Sequence, residues 1–196
     1  MRAMQANALY TYADYENWND DKRCELIDGV VYMMAPMPSS AHQDISGELF
    51  GRLHTFLRGK PCKVFHPPYD VRLNADSGDN TVVQPDLFVV CDRHKISHKG
   101  CKGAPDMIIE ILSPSTASRD AILKLNKYLQ AGVKEYWIVD PDSKNTSVHI
   151  LKDGKYIVSV YSETDVIPVN VLDGCLINMK EVFENIWEDE DASPDF

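Results

Sequence analysis

The stretch Met107-Ile108-Ile109-Glu110-Ile111-Leu112, then residues 116–131, then Lys134-Glu135-Tyr136-Trp137-Ile138-Val139-Asp140, decides the fold. The first segment is apolar except for one acid, the pattern of a strand covered on both faces. Residues 116–131 repeat Ala121, Ile122, Leu125, Tyr128 and Leu129 at helical spacing, and Gly132 supplies the stop. The third segment is again strand-like. A strand–helix–strand crossover favours parallel pairing of the two strands with a right-handed connection.

Two hairpin signals flank this unit. Glu25-Leu26-Ile27 and Val30 to Met34 surround Asp28-Gly29, and Val148 to Leu151 and Tyr156 to Tyr161 surround Asp153-Gly154. Asp-Gly suits a tight turn whose central residues need positive φ. Ser39 to Gly59 predicts a long helix, with Ile45, Leu49, Leu53, Phe56 and Leu57 on one face. Thr11 predicts the cap of a short helix. Val64 to Val71 and Val82 to Cys91 are strand-like, and Met179 to Trp187 predicts a short closing helix. The expectation is an α/β domain over 9–187 with a mixed β-sheet flanked by helices and additional β-hairpins. Residues 1–8 are expected to be a disordered lead and 188–196 an acidic disordered tail.

Composition bounds the function. The 196 residues hold 30 Asp+Glu against 20 Lys+Arg, a net charge of −10. Such a chain binds nucleic acid non-specifically only where its bases are gathered. The last nine residues hold five acids and no base, so the remainder carries 25 acids against 20 bases, or −5. A chain of this length buries about 70% of its unfolded surface and needs no disulfide or metal to fold. The five cysteines (Cys24, Cys62, Cys91, Cys101, Cys175) form no CxxC pair. They predict reduced thiols in a cytoplasmic protein. No apolar run approaches the ~20 residues of a membrane span, and the N-terminus lacks the apolar core of a signal peptide.

Two carboxylates stand where burial makes them costly. Asp86 opens Pro85-Asp86-Leu87-Phe88-Val89-Val90, and Glu110 lies inside its apolar strand. An unpartnered buried charge costs several kcal/mol or more, so something must compensate both. A salt bridge to Lys or Arg would do so. So would a divalent cation, and hard carboxylate oxygens suit Mg²⁺ or Mn²⁺. Strand alternation puts Ile108, Glu110 and Leu112 on one face and Ile109 and Ile111 on the other. On the following helix, Lys124 falls about 100° from the centre of the apolar stripe and Lys127 about 200°. Lys124 can therefore reach back toward the acids, while Lys127 is expected to face solvent.

Asp86 in Gln84-Pro85-Asp86, then Glu110, then a lysine, resembles the PD-(D/E)XK nuclease superfamily. Further strings resemble the branch of it labelled putative restriction endonucleases. They include Glu25-Leu26-Ile27-Asp28-Gly29, Glu110-Ile111-Leu112-Ser113-Pro114-Ser115-Thr116 and Glu135-Tyr136-Trp137-Ile138-Val139-Asp140-Pro141. The resemblance runs from about Tyr10 to Phe183. It implies a restriction-endonuclease-like core and metal-dependent hydrolysis of phosphodiesters in DNA, with Asp86 and Glu110 holding the metal. Its lysine belongs two residues after the acid, where this chain has Leu112; Lys124 is the matching position in this branch. Dimers are common among such enzymes, so a homodimer is expected.

Other candidates surround these three. Glu25 is a supporting carboxylate or a surface ion pair. His42 and Gln43 start the long helix, whose amides favour anions, and either could touch substrate phosphate. Gln84 shares a face with Asp86 and is a candidate for substrate binding. Asp106 is set outside the site as a strand-end cap. The loop from Arg93 to Lys102 holds four bases and two histidines and no acid, so it could approach a phosphate backbone or simply be solvated. Asp70, Asp76 and Asp79 are expected to face solvent. Two further functions stay open: an inactive nuclease-fold module that binds a partner, and a metal phosphoesterase acting on small nucleotides.

Overall fold

The computed structural model of the chain describes residues 8–18, 23–34, 38–113, 119–184 and 186–187. The expected lead and tail lie almost wholly outside these residues, as do Thr116 to Ser118 of the expected helix. The elements in chain order are α1 (Tyr12–Tyr15), β1 (Cys24–Ile27), β2 (Val30–Met33), α2 (Ser40–Phe56), β3 (Lys63–Phe65), β4 (Val71–Arg72), β5 (Val82–Val83) and β6 (Leu87–Val90). A turn of 3₁₀ helix at Arg93–Lys95 leads to β7 (Ile96–Ser97), β8 (Gly100–Lys102), β9 (Met107–Ile111) and α3 (Arg119–Ala131). Then come β10 (Glu135–Asp140), β11 (Asn145–Lys152), β12 (Lys155–Tyr161), β13 (Val166–Pro168), β14 (Leu176–Asn178) and α4 (Met179–Phe183).

The crossover forms as expected. β9 and β10 pair in parallel, Met107 opposite Glu135 through Ile111 opposite Val139. They sit inside a six-stranded mixed sheet of order β12-β11-β10-β9-β6-β3. A second six-stranded sheet has the order β2-β1-β5-β4-β8-β7, and β13 pairs with β14 separately. Alternation along β9 splits its side chains between two cores. Ile109 and Ile111 join Trp137, Val139 and the α2 residues Ile45, Leu49 and Leu53. Ile108 joins Tyr136 and Tyr128, with Val71 and Val83 from the second sheet. One face of the central sheet is thus covered by α2 and α4, and the other by α3 and the second sheet.

Two expected strands divide. Val64 to Val71 becomes β3 and β4, with a cis Pro67-Pro68 bond between them. Val82 to Cys91 becomes β5 in the second sheet and β6 in the central one. The break falls on Gln84, Pro85 and Asp86, where proline has no N–H to give to a ladder. Asp86 therefore stands at the seam between the two sheets.

The cysteine expectation is corrected. Cys62 and Cys91 form a disulfide. β3 and β6 run antiparallel with Lys63 opposite Val90, and that register carries Cys62 to a place opposite Cys91. A separation of 29 residues hides the pair from the sequence. The cysteine content thus gives no support to a reducing compartment. Among the described residues no helix is long and apolar enough to cross a membrane.

Candidate active site

Each acid is delivered by a different piece of the fold. Asp86 leaves the seam and its Oδ2 accepts the Ile111 N–H at 2.8 Å. That bond ties the seam to β9 one residue beyond Glu110. His42, in the first turn of α2, places Nε2 3.2 Å from the same Asp86 oxygen. Its Nδ1 is buried without a hydrogen-bond partner among the described residues. Glu110 projects toward α3, where Tyr128 Oη donates to its Oε1 at 2.5 Å and Lys124 Nζ lies at 3.2 Å. Lys124 also lies 2.8 Å from Glu25 Oε1 on β1. The Gln84 N–H donates to that oxygen at 2.9 Å. A single ammonium thus bridges carboxylates from the two sheets.

Glu25 and Glu110 flank one lysine, and Asp86 stands close enough to act on Glu110. Burial pushes Glu110 up to about 7; Lys124 opposes the shift, while Asp86 and Glu25 add to it. Burial disfavours the Lys124 ammonium, but Glu110 and Glu25 outweigh it and hold the amine charged well past its usual range. His42 follows the same logic. Burial disfavours its imidazolium, Asp86 and Glu110 favour it more, and its pKa rises.

Among the described residues each carboxylate takes its bonds on one oxygen. Asp86 Oδ1, Glu110 Oε2 and Glu25 Oε2 receive no donor from the described residues. Hard carboxylate oxygens gathered in one cavity fit a small divalent cation. No group of three or more His, Cys, Asp or Glu side chains among the described residues forms a preset metal cage. Mg²⁺ commonly uses only one or two carboxylates and keeps several waters.

One cavity of about 460 Å³ gathers the residues singled out from the sequence: Glu25, His42, Gln43, Gln84, Asp86, Glu110 and Lys124 all line it. Their parts differ from expectation in places. Gln84 is committed within the protein, giving Nε2 to Asp70 Oδ1 at 2.8 Å and taking Arg23 Nη2 at 2.9 Å. Gln43 is exposed on the wall. His42 sits on Asp86 rather than standing free at the helix start.

The basic segment Arg93 to Lys102, for which a phosphate-facing and a solvated role were both open, contributes nothing to the cavity lining among the described residues. It builds β7 and β8 at the far edge of the second sheet, and Lys99 and Lys102 pair with Glu16 and Asp76. Lys127 does not face open solvent but pairs with Asp28 at 2.6 Å. Asp70 is tied to Tyr15 and Gln84, and Asp79 to Arg72; only Asp76 is strongly exposed. Asp106 does stay outside, accepting the Cys91 N–H and pairing with Lys134, both at 2.7 Å.

Arg23 and Tyr128 escaped sequence reasoning. Tyr128 lies one helical turn beyond Lys124, so the same periodicity carries its signal. Arg23 precedes β1 and reaches the cavity only because the β1–β5 pairing brings Gln84 beside it.

Comparison with known proteins agrees with this architecture. The sequence model of the Uma2 family, described as "Putative restriction endonuclease", matches residues 11–180. An uncharacterized protein of Synechocystis sp. is 26% identical over 156 residues, 78% of this chain and 80% of that protein. The crystal structure of a putative nuclease belonging to DUF820 from Anabaena variabilis superposes with a TM-score of 0.73 at 20% identity. The match covers 89% of this chain and 98% of that one.

Proposed function

The chain belongs to the Uma2 family, and we propose that it is a Mg²⁺- or Mn²⁺-dependent DNA endonuclease whose active site is the Asp86–Glu110–Lys124 cavity. The observation that carries this is the charged cluster itself. Lys124 joins Glu25 to Glu110, beside the Asp86 carboxylate that lines the same cavity. Asp86 and Glu110 would hold the cation. A bound divalent ion supplies Lewis acidity and offsets charge on a phosphoryl group.

The protein's own groups divide the remaining work. Lys124 stays protonated, so it acts as a positive charge and hydrogen-bond donor toward phosphate oxygen rather than as a base. Tyr128 and Glu25 hold Glu110 and Lys124 in place. His42 and the Ile111 amide fix the orientation of Asp86. Arg23 and Gln43 stand on the cavity wall where a substrate phosphate would arrive. A homodimer would present two such sites to two strands.

The test is nicking of supercoiled plasmid by purified protein with Mg²⁺ or Mn²⁺. Asp86→Ala and Glu110→Ala should each lower the rate by about 100-fold or more. Nicking that survives both substitutions would sink the assignment. A wild type that binds no Mn²⁺ and cuts nothing would favour the inactive partner-binding module instead.

A further inference from the structure

We propose that the cavity holds an unpaired nucleotide along α2, next to the phosphate at the acids, so that single-stranded DNA is the preferred substrate. This rests on the reading of Asp86, Glu110 and Lys124 as the phosphate end of the site.

The cavity has two unlike ends. α2 lines it with His42, Ser46 and Phe50, and with Gly47 between them. Residues at that spacing share one helix face. At 1.5 Å per residue, Phe50 stands about 12 Å along the axis from His42, which holds Asp86. There the wall turns aromatic. The rings of Phe50 and His66 meet edge to face, 4.9 Å apart at 89°. The His66 Nδ1–H donates to the Pro67 carbonyl at 2.8 Å, which fixes that ring. Tyr32, directly opposite Glu25 in the β1–β2 register, lines the same cavity. Phe50 and Tyr32 are only half-buried and His66 is exposed, so ring surface is left for a ligand.

Gly47 is the second observation. A glycine inside a helix costs chain entropy, and one use of that cost is close approach of the backbone to a ligand. No neighbour in the protein requires a glycine here, since a Cβ would meet nothing within 4 Å. The helix surface is thus bare where the cavity passes it. Gly51, one turn on, is equally open but does not line the cavity.

Two features select an unpaired nucleotide over a duplex. A duplex keeps its bases stacked inside and would offer the aromatic end only sugar and phosphate. Duplex binding also draws on Lys and Arg set along many phosphates. Among the described residues the cavity wall has only Arg23 and Lys124, and Lys124 is already held by Glu25 and Glu110. Single strands are held instead by bases stacking on aromatic side chains. A volume of about 460 Å³ suits a ligand the size of one nucleotide.

Fluorescence anisotropy of the full-length protein with labelled oligothymidylate tests this, with Ca²⁺ replacing Mg²⁺ so that binding is read without cutting. The single strand should bind roughly tenfold or more tightly than the same strand annealed to oligoadenylate. Phe50→Ala should weaken single-strand binding by about 5- to 150-fold, the loss of one stacked base, and Phe50→Tyr should keep most of it. Gly47→Ala should weaken binding about tenfold while raising the urea midpoint, so that the loss cannot come from unfolding. Gly51→Ala should raise the midpoint in the same way and leave binding unchanged. Binding of neither strand form, equal affinity for both, or a Gly47→Ala variant that binds as Gly51→Ala does would overturn the proposal. Plasmid nicking is decided separately. A protein that binds single strands and cuts nothing keeps this subsite and loses the nuclease reading; one that nicks but prefers duplex loses only the subsite.

Discussion

Lys124 is the residue on which the site's electrostatics turn. It lies against two acids that would otherwise repel each other across the seam between sheets. Lys124→Met should cut plasmid nicking by about 10²–10³-fold. It should also raise the Glu110 pKa further, since the ammonium is the main opposing influence. Single-turnover rates and a carboxyl titration by NMR would check both; an unchanged rate would remove Lys124 from the mechanism. Asp106 gives a contrasting residue-scale case outside the site. Burial alone would raise it, but Lys134 and the Cys91 N–H outweigh burial and hold its carboxyl below the usual range. A depressed folded pKa contributes stability above the unfolded value near 3.9, and that stability is lost as pH falls through the folded value. Asp106→Asn should therefore cost about 1–3 kcal/mol at pH 7. The gap to wild type should close below about pH 4 in urea titrations.

At the scale of elements, the second sheet depends on one close approach. Gly100 has φ +128, and a Cβ there would stand 2.5 Å from the Asp70 carbonyl oxygen. That carbonyl accepts the Cys101 N–H at 2.8 Å, just where β4 and β8 pair in parallel. Backbone cannot yield as a side-chain tip can, and this φ is strained for any Cβ. Gly100→Ala should destabilise the fold by about 2–4 kcal/mol, read as a shift in the urea midpoint. The same substitution at Gly47, inside α2, meets nothing within 4 Å and should stabilise the fold by about 0.5–1 kcal/mol. The disulfide from Cys62 to Cys91 belongs to this scale as well, because strand register alone brings its halves together.

At the scale of the whole molecule, the proposed cation site would link metal binding to folding. A cation that binds only the folded chain stabilises it by about 2.7 kcal/mol at 100 times its dissociation constant. For a chain of this size that raises Tm by roughly 5–10 °C. Scanning calorimetry with Mn²⁺ should show the rise in wild type and its loss in Asp86→Asn. An equal rise in both would place the ion elsewhere. The global charge of −10 is compatible with this site. It predicts weak, salt-sensitive DNA binding, all the more because Lys99 and Lys102 of the basic segment pair with Glu16 and Asp76 away from the cavity.

The sequence by itself determined the crossover, the hairpins, the two half-buried acids and the choice of Lys124 over Lys127. All of these rest on local periodicity, turn chemistry or the cost of an apolar neighbourhood, each visible within some twenty residues. Thr11 as the cap of α1 was legible for the same reason. Only the tertiary structure decided that the strand-like run from Val82 to Cys91 breaks at Asp86 to serve two sheets. It alone placed His42 on Asp86, Arg23 beside Gln84 and Cys62 on Cys91, and it alone drew the basic segment away from the cavity. Those outcomes depend on which strands become neighbours and in what register. Pairing energy between segments far apart in the chain leaves no periodic trace in either segment.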